Sequence, residues 1–444
     1  MKADNSSMQT PSSPLDYDKA LTIDEAKAVN IAAGNVFRPR APINTQTLFA
    51  GRWEQVTTIA DAVCQPGLHI VIYGERGVGK SSLANVLDPV LIVLDQKISR
   101  PSPRFVAKVN ANKGDSFHTL WNRIFQEVSW QQNKPTMGFV PQPGVKRVTL
   151  SDAFSLSDKP SIDDVRRVLT SIPGSVFIFD EFDRGSEQLR TDFTDLIKAL
   201  SDYSVDSTVI IVGVANTIDG LVRDHQSIGR SVIQVHLPRM QDSELAEIIL
   251  KASKELGVIF DDAASWLIVK TSQGLPNYTH LIGLHAVRHA AMNDFTRRIA
   301  LKHVHMSFET SVKQSLQTIQ EMYLKATRSS HKDALYKGVV LACAIASSSA
   351  GHPHGEFYPS DVVEPLSTIL GRENVTIATC QGHLAEFCEN KRGPVLIKEG
   401  SPRSYRYRFA EPLLPPFIYM TALKDRVLTA NQLSEMTKLK TLGI

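Results

Sequence analysis

Residues 74–81 read GERGVGKS, a complete G-x-x-x-x-G-K-S set between an apolar run, HIVIYG at 69–74, and a helical pattern that opens near Lys80. Each fixed position in that set has a physical task. The glycines let successive backbone N–H groups turn inward around a phosphate, and the amino end of the helix beneath them favours negative charge. Lys80 brings a point charge to the outer phosphates, and the Ser81 hydroxyl can join the shell of a magnesium ion. An ordinary glycine-rich turn has no need of Lys-Ser at those two places. Gly74, Glu75, Arg76, Gly77, Val78, Gly79, Lys80, Ser81 and Ser82 are therefore read as a nucleotide-phosphate cradle, with a nucleotide and Mg2+ as its ligands.

Downstream, apolar strands alternate with amphipathic helices. Strands are predicted at 105–112, 176–183 and 208–216, and helices at 116–130, 163–172 and 187–203. This alternation predicts a parallel sheet covered on both faces. Residues 134–159 show little periodicity and read as an insertion or irregular hairpin. Strand 176–183 carries Asp180 and Glu181 at its carboxyl end, where open α/β sheets bind ligands. There Asp180 can hold Mg2+ through water, and Glu181 can orient and deprotonate an attacking water. Asn216 ends strand 208–216, either as a turn asparagine or as a contact to the γ-phosphate or that same water.

With 444 residues, the chain is long enough for two or three domains at roughly 100–200 residues each. A content of 42% hydrophobic and 21% charged residues excludes a disordered or collagen-like chain. The 49 basic and 46 acidic side chains nearly balance, so overall charge argues for no partner. Cys64, Cys343, Cys380 and Cys388 include no pair at zinc-site spacing. The amino terminus is polar, unlike a secretory signal. The longest apolar run, 339–346, is less than half the ~20 residues that cross a bilayer. A reduced, cytoplasmic protein with no membrane association is the expectation. Residues 1–34 are read as a mobile tail and short helix, and 35–240 as the α/β core. Helices at 243–256, 261–271, 278–288 and 308–328 form a unit over 241–328. Helices at 333–347, 359–370 and 376–390, then strands at 395–398 and 405–409, give residues 332–420 the layout of a winged helix. Residues 421–444 remain as a terminal helix or tail.

The order GERGVGKSSL, VFIFDEFD, VGVAN and then a helical unit resembles a P-loop ATPase of the AAA+ class. It is most similar to the branch holding the Orc1/Cdc6 replication initiators and the related STAND ATPases, over about residues 35–420. The resemblance implies an α/β AAA+ core with a parallel sheet, a helical lid and a carboxyl-terminal winged helix. Asp180 and Glu181 match the second nucleotide motif, and Asn216 the first sensor. Residues 37–43 and 48–52, ending in Arg52, resemble the segment that lies along the adenine. Arg230 stands where this class often carries an arginine finger for a neighbour's γ-phosphate, which implies a homo-oligomer. The alternative is a surface arginine bonded to local carboxylates. Pro276, in Gly274-Leu275-Pro276-Asn277, resembles STAND lids, whose proline packs near the nucleotide. Many AAA+ lids have a sensor arginine there, so its absence implies slow or partner-stimulated hydrolysis.

Between 391 and 408 the side chains Lys391, Arg392, Lys398, Arg403, Arg406 and Arg408 oppose only Glu399, a local net of +5. Lys391, Arg392, Arg403, Arg406 and Arg408 are the candidate contacts to duplex DNA phosphates, which position without reading sequence. In the alternative, Arg406 and Arg408 line a solvent face while Tyr405, Tyr407 and Phe409 point inward. Helix 376–390, with Ile377, His383, Leu384 and Phe387 on its apolar side, is poor in Arg and Lys. Two functions stay open: an ATP switch that associates with duplex DNA, and a STAND-like regulator of a separate effector protein.

Overall fold

The computed structural model describes residues 17–97, 99, 104–133, 145–215, 217–222, 228–330, 334–348, 355–401 and 404–441. They fall into two compact units. The first gathers Met1–Ala41, Arg76–Val78 and Arg239–Ile444, and the second Pro42–Glu75 and Gly79–Pro238.

The first unit opens with α1 (Ile23–Val36), started by a Thr22–Glu25 capping box. Residues 1–16 of the expected tail lie outside the described residues. Ala26, Val29 and Ala33 are buried at helical spacing, and Asp18 pairs with Arg298 at 3.0 Å, so this segment is tied into the unit.

In the second unit, α2 (Trp53–Val63) leads into β1 (His69–Gly74), and α3 (Lys80–Lys97) follows the glycine-rich loop. β2 (Val106–Asn110), α4 (Phe117–Glu127), β3 (Ser129–Asn133) and β4 (Val145–Thr149) come next. Phe117, Leu120, Trp121, Ile124 and Phe125 of α4, spaced along one helical face, are buried, as is Val128 just beyond it. The helix ends earlier than expected, because Val128 is extended and Trp130 pairs with Val148 across the β3–β4 ribbon. The aperiodic stretch thus supplies one strand of an antiparallel hairpin. α5 (Leu150–Ala153), α6 (Ile162–Ser171), β5 (Ser175–Asp180), α7 (Glu187–Asp202), β6 (Ser207–Val214) and β7 (Val232–His236) complete the unit.

Strands β2-β5-β6-β1-β7 form one parallel sheet. The edge strand β7 was not foreseen, since in VIQVH only Val232 and Val235 are fully buried, which makes neither a strand's alternation nor a continuous apolar run. β5 is buried at every position, as a central strand of a sheet covered on both faces must be. Its Phe179 packs on Phe193 of α7 at 4.7 Å, with Trp121, Phe125 and Phe177 behind them.

The first unit resumes with α8 (Asp242–Leu256), β8 (Ile259–Phe260), α9 (Asp262–Ser272), α10 (Pro276–Asn293) and β9 (Arg298–Ile299). Two helices, α11 (Leu301–Gln314) and α12 (Gln317–Thr327), replace the single helix expected at 308–328. The break is at Ser315 and Leu316, with ψ of 159° and 133°, and no Gly or Pro announces it. Then come α13 (Tyr336–Ser347), α14 (Pro359–Leu370), α15 (Ile377–Glu386) and the antiparallel pair β10 (Leu396–Glu399) and β11 (Arg406–Phe409). The buried side of α15 and the turn after it is Cys380, Leu384 and Phe387; Ile377, expected there, is exposed. α16 (Leu414–Lys424), buried from Leu414 to Leu423, and α17 (Ala430–Thr441) close the chain.

Candidate nucleotide-binding site

β1 and β5 flank β6, so the parallel register brings Gly74, Asp180 and Val214 to the same end of the sheet. That is the carboxyl end, where the loops of an α/β sheet meet a ligand. Gly77 and Gly79 have φ of +89° and +97°, a region that L side chains avoid, and this lets the loop curl before α3 begins at Lys80. The Lys80 ammonium folds back onto the loop, donating to the carbonyls of Gly74 at 2.9 Å and Glu75 at 2.7 Å. Burial pushes its pKa down to about 8, against the opposing pull of Asp183, Asp180 and Glu75. Ser81 opens α3 beside it, and the Ser82 hydroxyl accepts the Ile43 N–H at 3.1 Å.

Asp180 is buried at the end of β5, while the Glu181 side chain is 38% exposed. Phe179 and Phe182, on either side of this acidic pair, are fully buried and both pack on Phe193, which anchors the turn that presents the acids. Glu181 itself has φ +56°, a left-handed conformation that a non-glycine residue keeps only when its surroundings impose it. Its carboxylate pairs with Arg184 at 2.9 Å.

Two contributors escaped the sequence reading. Lys108 of β2 reaches across to Asp180 Oδ2 at 2.8 Å and to Asn85 Oδ1 at 2.7 Å. The other Asp180 oxygen, Oδ1, accepts the Glu181 N–H at 2.8 Å. The signal was present, because Lys108 is the one charge within the VAKV of β2, a strand predicted for this same sheet. Asp183 Oδ1 accepts the Val214 N–H at 2.8 Å and so ties the turn after β5 to the end of β6.

The remaining candidates are dispersed. Arg52 is buried at the start of α2, with φ +65°, and donates to the Pro238 carbonyl. Arg76, Gly77 and Val78 group with the first unit, where Arg76 pairs with Glu411 at 3.1 Å. Pro276 is the first residue of α10 in that unit. Asn216 lies outside the described residues. Arg230 is exposed in the turn before β7, whose Val232 pairs with His69. It therefore sits at the amino end of the sheet, away from Lys80 and Asp180 of its own chain.

At the carboxyl-terminal hairpin, Arg406 pairs with Glu356 at 3.1 Å and Arg408 with Glu399 at 3.0 Å. Lys398 stands 3.5 Å from the centre of the Tyr405 ring. Tyr407 and Phe409 are buried, and Tyr405 is half-buried. Arg392 is fixed over the Tyr336 ring, Lys391 is exposed, and Arg403 lies outside the described residues. No group of three or more His, Cys, Asp or Glu among the described residues could hold a metal alone. Nor is any described helix long and apolar enough to cross a membrane.

The model of the family Novel STAND NTPase 1 matches residues 42–339, which include the loop, the acidic pair and the helices up to α13. The chain belongs to this family. It is accordingly a nucleotide-binding NTPase of the P-loop kind, as its loop and acidic pair led us to expect. No curated protein matches. Among solved structures, the ORC2 protein of Aeropyrum pernix, in ADPNP–ADP complexes, is 14% identical with a TM-score of 0.48, over 91% of this chain and 98% of that one. Cdc6p of Pyrobaculum aerophilum is 14% identical with a TM-score of 0.43, over 89% and 99%. A Walker-type ATPase of Pyrococcus abyssi is also 14% identical, with a TM-score of 0.45 over 85% and 98%.

Proposed function

We propose that this NTPase is a Mg2+-dependent ATP-hydrolysing switch whose carboxyl-terminal helices and hairpin form a winged helix that associates with duplex DNA. The observation that carries the ATPase half is the meeting of the Lys80 loop with Asp180 and Glu181 at one end of the sheet. Ser81 and Asp180 would hold the magnesium ion, which would supply positive charge against the phosphates. The hard oxygen donors of Ser81 and Asp180 suit such a cation. Lys80 exchanges its loop carbonyls for phosphate oxygens. Glu181, the more exposed acid, orients a water and takes its proton, while Arg184 steadies the carboxylate. Arg230, exposed away from its own site, is the group we assign to a neighbour's nucleotide, and assembly on ATP follows from that role.

Three helices followed by a two-stranded hairpin support the DNA half. A second reading is a protein effector at the same surface. It is favoured by the pairing of Arg406 and Arg408 with carboxylates, which leaves the hairpin less cationic than its sequence. Hydrolysis rate and assembly mass, measured with and without duplex DNA, test the proposal. Stimulation or altered assembly with DNA is expected. Rates and masses indifferent to DNA, together with no DNA affinity at low salt, would refute the DNA half and leave the effector.

A further inference from the structure

A cleft of about 450 Å³ opens between α12 and the turn that follows α15, lined by Glu321, Leu324, Lys325, Arg328, Lys391 and Arg392. Four of the six residues are cationic. Arg392 builds the cleft. Its guanidinium lies 3.6 Å over the Tyr336 ring, pairs with Glu386 at 3.4 Å, and donates to the Ala326 carbonyl at 3.3 Å and to that of Arg328. These bonds satisfy carbonyls at the end of α12 and fix one wall to the other. Lys325 crosses from the opposite side to the Gly393 carbonyl at 3.3 Å. Glu321 is engaged by Gln317 at 2.7 Å. The Arg328 guanidinium and Lys391 ammonium, both exposed, have no partner among the described residues. Leu324, 62% exposed, lines the same cleft.

We propose that this cleft, rather than the hairpin, receives the phosphodiester backbone of duplex DNA, with Arg328 and Lys391 contacting phosphates from its two walls; this rests on the DNA reading above. Charge placement decides between the two surfaces. Arg406 and Arg408 of the hairpin must give up carboxylates before meeting a phosphate, whereas Arg328 and Lys391 have no carboxylate to surrender among the described residues. A recess also suits a protruding backbone, with Leu324 against the apolar edge of a sugar. Membrane surfaces instead select protruding apolar faces, which this cleft lacks.

The test is anisotropy of a labelled random-sequence duplex with the full chain, titrated from about 50 to 200 mM salt. Arg328→Gln/Lys391→Gln should lose roughly tenfold per contact at the low-salt end, and ~0.9 per contact from the slope of log affinity against log salt. Arg328→Lys/Lys391→Arg, which keeps both charges, should retain binding, and unchanged thermal unfolding of both variants checks the fold. A glutamine variant that binds with parental affinity and slope overturns the cleft and leaves the DNA reading standing. A parental chain with no DNA affinity overturns both. Equal loss of binding to anionic vesicles or a polyglutamate peptide would overturn nucleic acid as the occupant.

Discussion

Lys108→Met should destabilise the α/β unit, and by less when Mg2+ and ATP are bound. Its ammonium is 2.8 Å from Asp180 Oδ2, with side-chain exposures of 24% for the lysine and 4% for the aspartate. Removing one member of a buried pair costs about 3–5 kcal/mol, because the other charge stays in a poorly solvating site. Asp180 keeps the Glu181 N–H on its second oxygen, and Lys108 is partly solvated, which lowers the cost below that range to about 2–3 kcal/mol. At roughly 2–4 °C per kcal/mol for a unit of this size, the melting temperature should fall by about 4–12 °C. Thermal unfolding followed by circular dichroism reads this directly. A bound magnesium ion replaces the lost positive charge, so the deficit should shrink with Mg2+ and ATP. Adding Asp180→Asn to Lys108→Met should recover most of the loss, since no uncompensated charge then remains. A single variant that melts with the parent, or a double variant no better than the single, would refute the coupling.

Lys80 gives a pH signature. Its pKa is about 8 in the folded chain against an ordinary 10.5, so between those values the unfolded chain holds a proton that the folded chain has lost. The cost of burying the charge is therefore full below pH 8 and fades as pH rises towards 10.5. Only the protonated form pairs with phosphate, so affinity for a labelled ATP analogue should fall as pH rises past about 8, with a flatter profile in Lys80→Met. For Arg230→Ala, ATP binding should be normal and turnover poor. Mixing it with Glu181→Gln chains should restore turnover at mixed interfaces, and associated mixtures without rescue would assign Arg230 a local role.

The strongest sequence signals were those with a fixed spacing or a period. The loop needed only its octapeptide, and the acidic pair only the apolar run before it, because burial at every position dictates a central strand. β7 and the break at Ser315 and Leu316 were hidden, one behind a five-residue run without clear alternation and the other behind extended residues with no breaker beside them. Charge was the least legible quantity. The +5 counted between 391 and 408 omits Glu356, about fifty positions from Arg406 in the chain, which the Phe357–Tyr407 bridge brings beside it. Likewise Lys108 and Asp180 are far apart in sequence and become partners only through the β2–β5 register. Composition could locate the cations but not their partners.

Binding and turnover should separate between Lys80 and Glu181, and one paired measurement decides whether they do. Affinity for a labelled ATP analogue and steady-state phosphate release would be recorded for the parent, Lys80→Ala and Glu181→Gln. Lys80→Ala should lose most of its affinity, with a remnant from the loop N–H groups. Glu181→Gln should bind as the parent does while turnover falls by ~10²–10⁴-fold, the usual contribution of a general base. Parental turnover in Glu181→Gln, or parental affinity in Lys80→Ala, would contradict the assignment of this site.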